Sequence, residues 1–394
     1  MKRVAVVVSG ASIHRTGGIH SVAMARYERL LKNPEIDTDI FFIRDKYMPF
    51  SIKSLLKGEQ WVEKDNVEGH DVFILTKVEY RSDCRFIRKP LKIYHRCTRQ
   101  RVADWRWQHR LGVFLKDYDL VTAHFNDAAL AAEGAWKRYG IPYCVTWHGS
   151  DIHTIPMADE AARVATISAM EHASCNFFVS RHLMQLSDSL TVKGRKEVLY
   201  NGIDDIFVRY GEQRRHELRE QFDVEGKKVI TFAGSLKEVK NADLLPEVFR
   251  QVSTYYNLPL EFWICGDGPL RTRIEQELQG LDISCRMWGS CDHEKMPDIF
   301  NVTDVLVLPS KNEGLGLVAL EALSCGANVV GSRVGGIPEA IGEEYCVSLD
   351  ENFVNQCAEK IVDLLESPQP QKTGVSYSWD ESAIKEQIIY RQIM

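Results

Sequence analysis

Two glutamates and two glycines follow a short apolar segment in the second half of the chain and could together bind a polar ligand. Glu313 and Glu321 lie eight positions apart after the predicted strand Val305–Leu308, with Gly314 and Gly316 between them. The glycines let the backbone approach a ligand where a helix begins, and the free N–H groups there favour anionic oxygens. A carboxylate in the apolar turn around Glu321 costs several kcal/mol unless it finds hydrogen-bond donors. Ligand hydroxyls would supply those donors.

Each glutamate alone has an ordinary structural interpretation. Glu313 could cap the helix, and Glu321 could accept a hydrogen bond from a backbone N–H. Together with the two glycines, however, they resemble the E-x7-E signature of glycosyltransferase family 4. Members of this family have the GT-B fold, an α/β architecture of two doubly wound Rossmann-like domains that face a central cleft. The resemblance predicts that fold for this chain.

Five further segments carry the same resemblance over nearly the whole chain, and residues 44–115 are the least similar stretch. They match, in order, an N-terminal glycine loop, a histidine-bearing turn, a donor-phosphate segment, a glycine-rich turn and the start of a last helix that crosses back to the first domain. The segments are Ser12–His20, Trp147–Asp151, Phe232–Asn241, Cys265–Pro269 and Ser378–Trp379.

The resemblance implies a role for each matched residue. Glu321 is expected to accept hydrogen bonds from ribose hydroxyls, Glu313 to bind hydroxyls of the transferred sugar, and Lys240 to neutralise the leaving pyrophosphate. His148 is expected near the anomeric centre. The predicted catalytic residues are therefore His148 and Glu313, and the predicted donor-binding residues are Gly17, Gly18, Ser235, Lys240, Gly266, Gly314, Leu315, Gly316, Leu317 and Glu321.

Position 235 departs from the family pattern. The family usually has an arginine where this chain has Ser235, so one positive charge toward the donor phosphates is missing there. Lys237, or Arg15 in the glycine loop, could replace that charge.

The family retains the anomeric configuration, and its favoured mechanism is front-face departure and attack with the leaving phosphate acting as base. No protein base, no cofactor and no catalytic metal are therefore expected. Asp37 and Asp39 form a D-x-D string of the kind that elsewhere marks a metal-bound nucleotide sugar, but they directly precede the predicted strand Ile40–Ile43 and are interpreted as a strand entry. The histidines lack the spacing of metal ligands.

Apolar segments alternate with amphipathic stretches along the chain, which is typical of parallel sheets connected by helices. The series restarts near residue 205, after the turn Tyr200–Asp204. This pattern predicts an acceptor-side domain over 1–205, a donor-binding domain over 206–370 and a C-terminal helix over 371–394. Ligands of such domains bind at the carboxyl ends of the strands.

The chain has 394 residues and a net charge of −6, which argues against a general nucleic-acid binder. No two of its ten cysteines have C-x-x-C spacing, so free, reduced thiols are expected. The apolar stretch Val4–Val8 is too short for a signal peptide, and no stretch approaches the ~18 apolar residues of a spanning helix. We expect a cytoplasmic protein, at most attached peripherally to the inner face of a membrane.

One segment of the first domain is strongly basic. Residues 77–110 hold eleven lysines and arginines against three acidic residues, a net charge of +8, with Tyr94, Trp105 and Trp107 among them. Such a segment suits an anionic membrane surface or a phosphate-rich, lipid-linked acceptor, and an ordinary solvated face is an equal alternative. The predicted acceptor-side residues are Asp151, Arg85, Arg88, Lys89 and Lys92.

The sequence thus predicts a retaining glycosyltransferase that moves a hexose or N-acetylhexosamine from a nucleoside diphosphate, by default UDP, to an acceptor hydroxyl. The acceptor is expected in surface polysaccharide, teichoic acid or glycolipid synthesis. Two alternatives stay open: a sugar-nucleotide epimerase of the same fold, and a non-catalytic binder of nucleotide sugars or polyanions.

Overall fold

A computed structural model describes residues 1–9, 18–49, 61–67, 69–81, 107, 109–158, 160–367, 371 and 377–394. The chain forms two compact units. The first comprises residues 1–179, 184–199 and 380–394, and the second comprises residues 180–183 and 200–379. Residues 200–205, which the sequence placed in the first domain, therefore belong to the second unit.

The first unit is built on an eight-stranded sheet. Its strands are β1 (Lys2–Val8), β2 (Ile36–Pro49), β3 (Val62–Val67), β4 (His70–Arg81), β5 (Leu120–His124), β6 (Tyr143–Trp147), β7 (Cys175–Phe178) and β8 (Lys196–Val198). They lie in the order β3-β4-β2-β1-β5-β6-β7-β8, and all pairs are parallel except β3 with β4. Val4–Val8 in the centre are all fully buried, so both faces of this strand are covered, as parallel sheets require.

Helices and the end of the chain cover this sheet. The described helices with a residue range are α1 (Gly18–Leu31), α2 (Asn126–Tyr139), α3 (Ser150–His153), α4 (Ile155–Ala158), α5 (Glu160–His172) and α6 (Arg181–Ser187), which begins in the second unit, and the last helix of the chain covers Trp379–Ile393. In that last helix Ile389 and Tyr390 join the core formed with Val4, Val6 and Phe177.

A buried ion pair connects the first and last helices of the first unit. Arg26 Nη1 lies 3.5 Å from Glu386 Oε1, and both side chains are about fully buried, at 2% exposure. Arg26 also donates to Thr146 Oγ1 at 2.9 Å, and the Tyr390 hydroxyl donates to Glu386 Oε1 at 2.7 Å. These bonds compensate charges whose burial without partners would be strongly unfavourable.

The second unit contains a six-stranded, all-parallel sheet. Its strands are β9 (Lys228–Ala233), β10 (Leu260–Cys265), β11 (Cys285–Gly289), β12 (Val305–Leu308), β13 (Asn328–Ser332) and β14 (Cys346–Val347), in the order β11-β10-β9-β12-β13-β14. Its helices are α7 (Glu212–Gln221), α8 (Leu245–Tyr255), α9 (Arg271–Gln279), α10 (Met296–Val302), α11 (Leu317–Ser324), α12 (Ile337–Ile341) and α13 (Phe353–Glu366), and 3-10 turns cover Glu238–Lys240, Ala242–Leu244, His293–Lys295 and Glu343–Tyr345.

Phe232, Phe249, Phe262 and Ile361 are among the fully buried residues of the core of the second unit. The chain order of this sheet reverses between β9 and β12, so their carboxyl ends flank the position where such sheets bind ligands. No helix among the described residues is long and apolar enough to cross a membrane.

Candidate functional site

The predicted donor-binding residues of the second unit lie in loops that follow neighbouring strands. Gly234 and Ser235 follow β9, Gly266 follows β10, and residues 309–316 follow β12. Since these strands are parallel, their carboxyl ends meet at one edge of the sheet. The fold therefore brings segments that are up to about eighty residues apart in sequence to one edge.

Glycines let these loops approach one another closely. A Cβ on Gly266 would lie 1.8 Å from the carbonyl oxygen of Gly234, and its φ is +152°. A Cβ on Gly335 would lie 2.1 Å from the carbonyl oxygen of Glu313. The sequence analysis identified Gly266 and missed Gly335, although Val-Gly-Gly after a buried strand is a signal of the same kind. Side chains at either position would push the loops apart.

Gly266→Ala is expected to lower the free energy of unfolding of the second unit by about 1–3 kcal/mol, because the methyl group meets backbone rather than a flexible side chain. Gly280→Ala is the matched control: its φ is −83° and its Cβ would lie 3.5 Å from the Glu277 oxygen. Urea unfolding followed by fluorescence measures both. Equal stabilities of the two variants would contradict the proposed close packing.

Lys240 and Glu313, which are 73 positions apart, form an ion pair at this edge. The Lys240 ammonium contacts Glu313 Oε1, and the side chains are 23% and 13% exposed. The Ser310 hydroxyl donates to the same oxygen at 3.3 Å. Asn241, in the left-handed region at φ 48°, donates to the Pro309 carbonyl at 3.0 Å and so fixes the lysine turn against the glutamate loop. A cation and a carboxylate are thereby held side by side, both within reach of solvent.

Glu321 lies on α11, half-buried among apolar neighbours. No hydrogen-bond donor among the described residues reaches its carboxylate. Burial raises the pKa of this carboxyl to about 7; His293 lowers the pKa and Asp204 raises it. Asp204 in turn accepts hydrogen bonds from Trp379 Nε1 and contacts His293 Nε2, each at 3.0 Å. The sequence analysis did not identify Asp204 or His293. The carboxylate of Glu321 has accepting capacity that hydroxyl groups of a ligand could fill.

The remaining donor-side predictions lie around the start of α11. Gly316, at φ +84°, is its N-cap, and Leu315 before it is buried. Gly314 is half-buried, and Leu317 is the first residue of the helix. The Ser235 carbonyl accepts a hydrogen bond from the Lys237 N–H at 2.9 Å, whereas the Lys237 side chain is exposed. Free N–H groups of the helix start and the Lys240 charge favour an anionic ligand here.

In the first unit, the predicted histidine turn lies at the end of β6. Asp151 accepts hydrogen bonds from the backbone N–H groups of His148, at 2.9 and 3.0 Å, and Gly149, at 2.7 Å. The His148 ring contacts a second histidine, His124, at the end of the neighbouring strand β5. Burial and the nearby charge of Arg26 lower the pKa of His148 to about 3, so its ring is neutral near pH 7.

The sequence-based role of Asp151 as an acceptor-side residue is not what the structure shows. Its side chain is fully buried and points into the turn, because two backbone N–H groups need an acceptor there. Burial raises the pKa of Asp151 to about 6 in spite of these hydrogen bonds. Asp151 holds the His148 turn rather than a molecule outside it.

Several predicted residues lie outside the part of the chain that the structure describes. They are Gly17, Arg15, Arg85, Arg88, Lys89 and Lys92. Gly18 is the first residue of α1. The predictions for these residues stay predictions, as does the role of the basic segment, of which residues 82–106 are not described.

The D-x-D string lies within β2, which begins at Ile36. Arg3 contacts Asp37 at 3.3 Å and Asp39 at 3.4 Å, so the strand pairing with β1 accounts for both carboxylates. Among the described residues, His216, Glu220 and Glu225 form a group that could hold a metal ion, and all three are exposed. None of them is a predicted site residue. The eight described cysteines are free thiols.

Two family models match the chain one after the other. Residues 66–206 match "Glycosyltransferase Family 4", and residues 214–378 match "Glycosyl transferases group 1". The chain belongs to glycosyltransferase family 4. The family resemblance inferred from the E-x7-E motif is thereby confirmed.

Relatives of known name share a quarter to a third of the aligned residues. N-acetyl-alpha-D-glucosaminyl L-malate synthase of Bacillus anthracis is 29% identical over 57% of this chain and 59% of its own length. An uncharacterized glycosyltransferase of Methanocaldococcus jannaschii is 25% identical over 70% of this chain and 76% of its own. One phosphatidylinositol N-acetylglucosaminyltransferase component from Arabidopsis thaliana is 30% identical over 38% and 35%. The match thus spans less than two thirds of two of these relatives.

Solved structures show the same fold. The sucrose-phosphate synthase of Thermosynechococcus elongatus superposes with a TM-score of 0.73 at 16% identity, covering 100% of this chain and 99% of that one. HepE of Anabaena, in complex with UDP, gives a TM-score of 0.71 at 18% identity, covering 100% and 98%. This family 4 glycosyltransferase therefore has the GT-B fold that its sequence predicts.

Proposed function

We propose that this glycosyltransferase transfers a hexose or N-acetylhexosamine from a nucleoside diphosphate to an acceptor hydroxyl, with retention of the anomeric configuration. The observation that carries the proposal is the contact of Lys240 with Glu313, beside glycine-lined loops and a helix start. A cation beside a carboxylate matches a donor that carries a pyrophosphate next to sugar hydroxyls.

UDP is the proposed nucleoside diphosphate. HepE, with the same fold, was solved with UDP and with UDP-glucose. The Bacillus anthracis and Arabidopsis thaliana relatives are named for the transfer of N-acetylglucosamine. These names support a UDP-linked hexose or N-acetylhexosamine as donor. For the acceptor, we propose an anionic or lipid-linked hydroxyl compound of surface polysaccharide, teichoic acid or glycolipid synthesis.

The proposed reaction needs few protein groups. Lys240 releases Glu313 as the donor enters, and its ammonium then stabilises the charge that develops on the departing pyrophosphate. Glu313 accepts hydrogen bonds from hydroxyls of the transferred sugar, and Glu321 from the ribose. The acceptor oxygen bonds to the anomeric carbon on the face from which the phosphate leaves, and the acceptor proton passes to a phosphate oxygen. His148 orients the sugar, and we propose that neither a metal nor a cofactor takes part.

A donor screen followed by product analysis tests this function. UDP-, GDP- and ADP-sugars are compared by thermal shift, since a ligand at a hundred times its dissociation constant adds ~2.7 kcal/mol of stability. The stabilising donor is then incubated with acceptor hydroxyl compounds, with and without EDTA, and the product anomer is read by NMR. We expect a product with the donor's configuration and an unchanged rate in EDTA. An inverted anomer would contradict retention, and an EDTA-dependent rate would contradict metal independence.

The same screen distinguishes the alternatives. Formation of an epimeric nucleotide sugar without acceptor would identify an epimerase. Stabilisation by a nucleotide sugar without transfer or slow hydrolysis of it would identify a binding protein.

A further inference from the structure

Two histidines meet in the first unit where two neighbouring strands end. His124 is the last residue of β5, and His148 follows the last residue of β6 directly. His124 Nδ1 and His148 Nε2 are 3.3 Å apart, and the ring centroids are 5.5 Å apart at 31°. This distance is within the range of a hydrogen bond between ring nitrogens. His124 itself is 1% exposed.

Both rings are neutral at physiological pH. Burial, with the charges of His148 and Arg26, lowers the pKa of His124 well below its ordinary value. Burial and Arg26 do the same for His148. Arg26 is held in this position by Thr146 Oγ1 and Glu386. A positive charge on either ring would lie in a buried region that already contains a guanidinium.

Neutrality restricts how the pair can share hydrogens. A neutral imidazole has one N–H, so one ring donates at the contact and the other accepts. If His124 donates, His148 carries its hydrogen on Nδ1, and if His148 donates, its Nδ1 is an acceptor. The contact therefore decides whether Nδ1 of His148 donates or accepts.

We propose that His124 is a positioning residue, which holds His148 in a single tautomer and orientation so that His148 Nδ1 has one defined hydrogen-bonding role toward the donor sugar. This inference rests on the proposed function, in which His148 orients that sugar. Asp151 fixes the backbone of the same turn through the N–H groups of His148 and Gly149. The backbone and the ring of His148 thus have separate supports.

Three variants test the proposal. His124→Leu removes the hydrogen bond and keeps an apolar side chain, whereas His124→Asn keeps a polar atom near the position of Nδ1. His216→Leu, at an exposed histidine of the second unit, is the control. Partners that orient a functional histidine are worth about 10- to 100-fold. We expect His124→Leu to lower kcat by that factor with little change in the donor KM, His124→Asn to recover most of it, and His216→Leu to match wild type.

A measurement that does not depend on activity accompanies the kinetics. Two-bond 1H–15N spectra of 15N-histidine-labelled protein show which ring nitrogen carries hydrogen, and comparison with His148→Asn identifies the His148 signals. One neutral tautomer is expected in wild type and a mixture in His124→Leu. An unchanged tautomer in His124→Leu, or an unchanged kcat despite mixed tautomers, would overturn the proposal. A wild-type protein without transfer or hydrolysis would overturn the proposed function instead, and the spectra would still decide the role of His124.

Discussion

Lys240→Met is expected to lower the turnover number for sugar transfer by about 10²- to 10³-fold, because it removes the cation placed to stabilise the leaving pyrophosphate. The neighbourhood offers little replacement: position 235 is a serine, and the side chain of Lys237 is exposed to solvent. Steady-state kinetics with the donor found in the screen measure the effect. Lys360→Met is the control, since Lys360 lies on α13 and donates to the Glu344 carbonyl.

Lys240→Met also leaves the half-buried carboxylate of Glu313 without its cation. We therefore expect a loss of about 1–3 kcal/mol in the free energy of unfolding, which the additional change Glu313→Gln should largely restore. Turnover should remain low in the double variant, since both ligand contacts are lost. A Lys240→Met enzyme that turns over within threefold of wild type would contradict the assignment of Lys240 to the pyrophosphate.

Nucleotide binding is expected to strengthen by close to tenfold between pH 6 and pH 8 through the ionisation of Glu321. Burial raises the pKa of this carboxyl to about 7, so the ionised fraction rises from about one tenth to about nine tenths over that interval. The ionised form is the better acceptor for ribose hydroxyls, and hydrogen bonds to charged groups are worth about 1.5–3 kcal/mol. Glu321→Gln should weaken nucleotide binding about 10- to 100-fold. It should also remove this part of the pH dependence.

Calorimetric titration with the nucleoside diphosphate across this pH range measures both proteins. The phosphate groups of the ligand also titrate, and the glutamine variant serves as the control for that contribution. The same slope of affinity against pH in both proteins would contradict the role of Glu321.

Stability should move in the opposite direction. The pKa of Glu321 is higher in the folded protein than its ordinary value of 4.5, so its ionisation disfavours folding as the pH rises from 4.5 through 7. We expect Glu321→Gln to be more stable than wild type at pH 8, by about 1–3 kcal/mol, and nearly equal to it at pH 4.5. Such a gain in stability with a loss of binding is the pattern of a residue kept for its ligand.

The sequence was sufficient for the central strands and for the site segments that follow them. Buried parallel strands are continuous apolar stretches, and Val305–Leu308 was predicted with the bounds that it has. The antiparallel strand β3 was missed because its sequence, Val-Glu-Lys-Asp-Asn-Val, is largely polar. It lies at the sheet edge, where one side of a strand need not be apolar.

Contacts between distant positions were beyond sequence reasoning. The pairing of Lys240 with Glu313 and of His124 with His148 depends on which strands are neighbours in the sheets. Periodicity also predicted the last helix without its buried side. Ile384 and Ile388, taken as core-facing, are 61% and 49% exposed, whereas Ile389 is buried. Asp151 was misassigned because a carboxylate in a loop looks the same in sequence whether it faces solvent or backbone.

The Arg26–Glu386 ion pair has a consequence for biosynthesis. The first unit can complete its core only after Glu386 and Tyr390 have been made, about 360 residues after Arg26. At ~5–20 residues per second, the ribosome needs tens of seconds to bridge that interval. The second unit, whose residues lie between, can fold while the chain is still being translated. During that time the first unit exposes unsatisfied apolar and charged groups, so this is the half of the nascent polypeptide that chaperones should bind.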